Sequence, residues 1–131
     1  MKKIIVPFLF LVPLLVKAQS VQLLDTIKAP PSYENSYVRP IASDSLASSF
    51  VIFIKKEVKK HKHVLHSEHV YVLEGEGELL LGEKTITIKK DDIVFIPKNT
   101  VHSVKVTSTI PMKILSVQAP LFDGKDRVFV E

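Results

Sequence analysis

The chain has 131 residues, enough for one domain with a modest core and too few for two. Lysine and arginine number 18 against 14 acidic residues, a formal net charge of +4, and there is no cysteine. Disulfide staples are thereby excluded, and stability has to come from a packed core, a metal or association.

Residues 1–18 read as a secretory signal peptide and not as part of the domain. Lys2 and Lys3 supply a short positive region, and residues 4–16 are apolar apart from Pro7 and Pro13. Val16-Lys17-Ala18 offers a cleavage site, after which Gln19 becomes the N-terminus. The apolar stretch, about thirteen residues, falls short of the roughly twenty that a spanning helix needs. Loss of Lys2, Lys3 and Lys17 brings the formal charge from +4 to +1. No concentrated basic face of the kind nucleic acid requires is left. The expectation is a secreted or periplasmic protein, free of the membrane after cleavage and without a nucleic-acid partner.

Residues 19–49 are polar and rich in turn formers. Pro30-Pro31, Pro40 and the serines between 43 and 49 work against long regular structure. A loosely structured N-terminal arm is expected, with Leu23, Leu24 and Ile27 able to dock on the domain or on a neighbouring chain. From residue 50 to 131 the character changes. Residues 50–54 are β-branched and aromatic, as in a buried strand. Residues 69–73, 79–81, 85–88, 93–96, 101–106 and 112–117 continue the series of short strands. Gly82-Glu83 reads as a tight hairpin turn, and residues 85–88 alternate polar and apolar, the period of a half-buried strand. Short strands at regular spacing without a helical period mean an all-β sandwich or barrel. The lysines at 55, 56, 59, 60 and 62 read as a solvated strand edge or as a patch for an anionic ligand.

The histidines carry the chemistry. All five follow residue 60, four of them within nine positions: His61, His63, His66 and His69, then His102. Alternate residues of a strand share a face, so His61 and His63 lie side by side. Glu68 follows after a short turn, and His69 faces the other way by the same count. His102 comes from a later strand. Three imidazoles and a carboxylate suit a divalent transition metal: Fe, Mn, Ni, Cu or Zn. His66, in the turn between His63 and Glu68, reads as an exposed turn histidine, or as an acid or base beside the metal. Glu68 and His66 are the candidate catalytic residues.

His61-x-His63-(x)4-Glu68-(x)6-Gly75 resembles the first cupin motif, and Asp91-(x)5-Pro97-x-Asn99-(x)2-His102 resembles the second. The resemblance extends from about residue 50 to 117. It implies a cupin-type double-stranded β-helix, a jelly-roll barrel, with the metal inside its mouth on His61, His63, Glu68 and His102. It also implies a homodimer formed by strand exchange. The family usually has glycine at the positions of Lys55, Asp91 and Asn99, and asparagine at that of Val106. Asp and Asn enter the left-handed region more readily than other non-glycine residues, whereas Lys55 and Val106 put their local geometry in question.

Three functional readings follow. The first is a metal-dependent enzyme acting on a small oxygenated molecule, of dioxygenase, isomerase or decarboxylase type. The second is a non-catalytic module that holds a metal or a small ligand. The third is a barrel that serves mainly to dimerise. Val51, Phe53, Val70, Val72 and Val104 suggest a mainly apolar cavity wall, suited to a ligand with an apolar body and a chelating edge. Neither Arg39 nor Arg127 has an evident place in the barrel.

Overall fold

The alternation read at residues 85–88 recurs along the chain as ten strands in a computed structural model that describes residues 21–131. The signal-peptide segment, residues 1–18, lies outside the described residues. In chain order the strands are β1 (Ser36–Ser43), β2 (Ser48–Ile54), β3 (Glu57–Lys62), β4 (Ser67–Glu74) and β5 (Glu76–Leu81). Then come β6 (Lys84–Lys89), β7 (Ile93–Ile96), β8 (His102–Val106), β9 (Met112–Ala119) and β10 (Val128–Phe129). They form two five-stranded antiparallel sheets, ordered β1-β2-β9-β4-β7 and β10-β3-β8-β5-β6. This is the all-β, two-sheet architecture expected of a jelly roll.

The inner faces close on one apolar core. Ile52 and Ile54 of β2, Val70 and Val72 of β4, and Met112 and Ile114 of β9 meet Leu79, Ile88, Ile96 and Val104. Each pair is two residues apart, so register alone decides which side chains are inside. The expected wall residues Val51 and Phe53 are on the other face of β2. The Phe53 ring packs against Tyr37 of β1, and the ammonium of the buried Lys113 lies over it. That ammonium is tied in turn to the carbonyl of Leu24 in the short 3-10 turn Leu24–Thr26. Both faces of β2 are therefore covered. A strand buried on both sides is a continuous apolar run, and such a run carries no phase.

The loosely structured arm also needs correction. Residues 36–43 pair with β2 over its whole length, as an edge strand with a bulge between Pro40 and Ala42. Pro40 is compatible with that position because edge strands and bulges tolerate a missing N–H. Asp91 (φ 74°) and Asn99 (φ 63°) do adopt the left-handed conformation of the glycines they replace. Lys55 does not: its N–H donates to the Asn35 carbonyl and its ammonium to the Tyr33 carbonyl. Gly82 starts a two-residue turn between β5 and β6, with Leu81 opposite Lys84.

Gly75 joins β4 to β5 at φ 82°, and a Cβ there would sit 2.9 Å from the Met112 Cα. Gly82 has φ 61° but open space around it. Gly75→Ala should therefore destabilise the fold by about 2 kcal/mol or more, combining left-handed strain with overpacking. Gly82→Ala should cost only about 1 kcal/mol, from the backbone alone. Chemical denaturation of both variants checks the order; equal losses would show that Met112 gives way freely.

Candidate metal centre and ligand pocket

Register brings the histidines together. β3 and β8 are antiparallel neighbours with His61 opposite His102, so their side chains share the inner face. His63 follows at the end of β3, and all three rings are buried, with ligand atoms within 4.8 Å of one another. The ring centroids of His61 and His102 are 4.2 Å apart, and those of His63 and His102 5.4 Å.

Each imidazole is oriented from behind. His61 Nδ1 bonds the Lys59 carbonyl at 2.8 Å, His102 Nδ1 the Thr100 carbonyl at 2.9 Å, and His63 Nδ1 the Asp126 carbonyl. A carbonyl only accepts, so Nδ1 carries the proton in all three rings. In a neutral imidazole Nε2 is then a lone pair. Burial, reinforced by the nearby His102 ring and only partly offset by the Lys59 carbonyl, pushes the His61 pKa down to about 4. His61 is thus neutral at neutral pH.

Glu68 on β4 completes the arrangement. Its Oε1 accepts from the Ser116 hydroxyl and, at 3.4 Å, from the Gln118 amide, both on the neighbouring β9. Its Oε2 lies 3.5 Å from Nε2 of both His63 and His102. Burial raises the carboxyl pKa, but the facing imidazoles of His102 and His63 and the Ser116 hydroxyl outweigh it. The group is held well below the usual carboxylate range and is ionised. The Nε2 atoms of His63 and His102 are buried and have no hydrogen-bond partner. A carboxylate 3.5 Å from two imidazole nitrogens is favoured there only when a positive charge, a proton on Nε2 or a metal ion, lies between them. The three imidazoles, with carbonyls behind the rings and the Glu68 carboxylate beside two of them, could hold a divalent transition metal.

His66 departs from the exposed-turn expectation. It is buried, its Nδ1 is 2.6 Å from Asp126 Oδ2, and its Nε2 is 2.9 Å from the Leu121 carbonyl. Both partners accept, so both nitrogens donate. Burial lowers the His66 pKa, but the Asp126 carboxylate and the Leu121 carbonyl raise it more. With both nitrogens engaged, His66 clamps the turn at residues 64–66 to Leu121 and Asp126. His69 faces outward, as counted, and stacks on Phe95 with ring centroids 4.8 Å apart.

The clamp belongs to a C-terminal strap, residues 120–131, that the strand pattern does not reveal. The Asp126 carboxylate accepts the N–H groups of Val64, Leu65 and His66 while its carbonyl holds His63. Phe122 packs edge-on against the rings of His63 and His66. β10 then pairs with β3, placing Phe129 opposite His61. Ser116 and Gln118 did carry a signal: they continue the inward face of Met112 and Ile114 as polar residues. The strap carried none, because a single sequence does not show which loop a distant aspartate caps.

Beside the histidines, a cavity of about 260 Å³ runs into the barrel. Its wall includes Ile52, Ile54, Val70, Val104 and Ile114, and His61, Glu68 and His102 line it as well. The mainly apolar wall is as expected, although Ile52 and Ile54 stand where Val51 and Phe53 were placed. Arg127 also lines this cavity, which corrects the reading that neither arginine has a place in the barrel.

Residues 50–118 match the family model for the cupin domain. An uncharacterized protein of Aquifex aeolicus is 40% identical over 84 residues, 64% of this chain and 69% of that protein. A Klebsiella pneumoniae protein with a double-stranded β-helix domain superposes with a TM-score of 0.73 at 20% identity, covering 87% of this chain and 99% of that one. Pac13, described as a nucleoside dehydratase and known from Streptomyces, superposes with a TM-score of 0.59 at 19% identity. That match covers 72% of this chain and 85% of Pac13.

Removing the Asp126 carboxylate should release the strap. Asp126→Ala is expected to lose about 2 kcal/mol, as hydrogen bonds to a charged group are removed and the buried His66 ring loses its partner on Nδ1. Amide hydrogen exchange at Val64, Leu65 and His66 should accelerate in that variant. Unchanged protection at those three amides would show that the turn holds itself.

Proposed function

The chain belongs to the cupin family, and from that premise we propose that it is an exported, metal-dependent enzyme acting on a small oxygenated molecule. His61, His63 and His102 would hold a divalent transition ion together with Glu68. One observation carries this reading: three imidazoles, each with its Nδ1 proton given to a backbone carbonyl, turn Nε2 toward a common point, and two of those atoms are buried and unbonded. Such an ion would supply a Lewis acid for a carbonyl or enediol oxygen, or a redox centre.

The chain's own residues do the rest. Ser116 and Gln118 anchor one oxygen of Glu68, which leaves the other to bind the cation or to accept a proton from the ligand. The apolar wall excludes water from the ligand body and strengthens electrostatic interactions at the polar end. Export is supported by the layout of residues 1–18. That the β-barrel neighbour Pac13 is described as a nucleoside dehydratase supports catalysis over simple storage, as an analogy of fold.

Elemental analysis of protein purified from its export compartment should find one transition metal per chain. Zinc at about 100 times its Kd should raise the unfolding free energy of the metal-free protein by about 2.7 kcal/mol. The double variant His61→Ala, His63→Ala should show neither effect. Wild type that takes up no transition metal from any supply would overturn the metal reading. Ser116→Ala, which frees Glu68 Oε1, should weaken zinc binding by roughly tenfold; unchanged titration calorimetry would mean that Ser116 does not orient the carboxylate.

A further inference from the structure

Arg127 is the feature of this pocket that neither the strand pattern nor the metal set accounts for. β10 pairs with β3 so that Phe129 stands opposite the inward-facing His61. Two residues earlier on the same face is Arg127, and both side chains line the cavity. The solvent-exposed members of the lining, among them Ser36, Glu57, Lys59, Arg127 and Phe129, mark its opening. Two of them are cationic and one is a carboxylate, so the rim carries excess positive charge. Among the described residues Arg127 makes no ion pair and no hydrogen bond. A guanidinium with a free fork of N–H donors beside an apolar cavity is suited to a planar anion.

We propose that the pocket recognises a small carboxylic acid, with its apolar body between Ile52, Val70 and Ile114 and its carboxylate on Arg127 at the rim. This deepens the metal-dependent reading by naming the ligand class, and it rests on that reading for the chelating end. Size points the same way. A cavity of about 260 Å³ fits a compact acid body and not a polymer. A neutral ligand would leave the excess positive charge of the rim unmatched, whereas a single carboxylate complements it.

The test compares benzoate and hexanoate with benzamide and hexanamide on the zinc-loaded full-length protein, by calorimetry or ligand-observed NMR. Each acid should bind more tightly than its amide. Arg127→Gln should weaken both acids by roughly tenfold and leave the amides unchanged, with Arg127→Lys in between. Arg127 is exposed, so the variants should fold, and their zinc content should match that of the wild type. Wild type that binds zinc but holds acid and amide alike, or that binds neither acid at millimolar concentration, sinks the carboxylate site alone. An Arg127→Gln protein with wild-type affinity for benzoate sinks it too. Wild type without zinc sinks the metal centre instead, so zinc content tells the two failures apart.

Discussion

The backbone carbonyls of Lys59, Thr100 and Asp126 each take the Nδ1 proton of one imidazole, and in doing so they fix where the lone pairs of His61, His102 and His63 point. Two of these carbonyls lie two residues from the histidine they serve, so the ring is held by the conformation of its own segment. The third is sixty-three residues away and depends on the strap. Strand register adds the rest. His61 and His102 face each other because β3 and β8 pair in one register, and a slip of one residue would turn a ring to solvent. The apolar core is thus what makes the polar site possible: its two-residue alternation locks the register that also aims the ligands.

The strap makes three parts of the pocket depend on one short segment. The Asp126 carboxylate holds the turn at residues 64–66, its carbonyl orients His63, and the next residue, Arg127, lines the opening. Phe129 then lies against His61, with ring centroids 6.2 Å apart. A change in how the strap seats would reach the His63 ring through a single hydrogen bond. The orientation of His63 and the shape of the opening are therefore set by the same short segment. His66 is held on the strap through both ring nitrogens.

The residues that form the site were legible because their chemistry is concentrated in two motifs. His-x-His fixes two rings on one face, and the offsets to Glu68 and His102 place the other donors on strands that pair or stack with it. Strands β4 to β9 were legible for a related reason, since turn residues bound each of them. Asp91 and Asn99 were read correctly as stand-ins for glycine. What escaped the reading depends on pairing partners. β1 is mostly exposed and interrupted by Pro40, so its own residues carry little strand signal; β2 supplies the order. The phase of β2 was invisible because both of its faces are covered. Asp126 and Arg127 lie in a short charged run between apolar residues of the tail, and only the fold reveals that they return to the first motif.

The buried polar cluster is a local violation of the rule that built the rest of the barrel. Glu68, Ser116, Gln118 and three histidines occupy inward positions where alternation elsewhere places Val, Ile or Met. Without a cation, two buried Nε2 atoms and a carboxylate confront one another, an arrangement that costs stability and that an apolar replacement would relieve. The chain nevertheless commits a backbone carbonyl to each ring, two β9 side chains to the carboxylate and a strap to the turn. Those supports fix a strained arrangement and do not remove it. Departures from local consistency that are reinforced in this way mark sites kept for what they bind. The apolar half of the cavity supplies the stability that allows the polar half to remain so arranged.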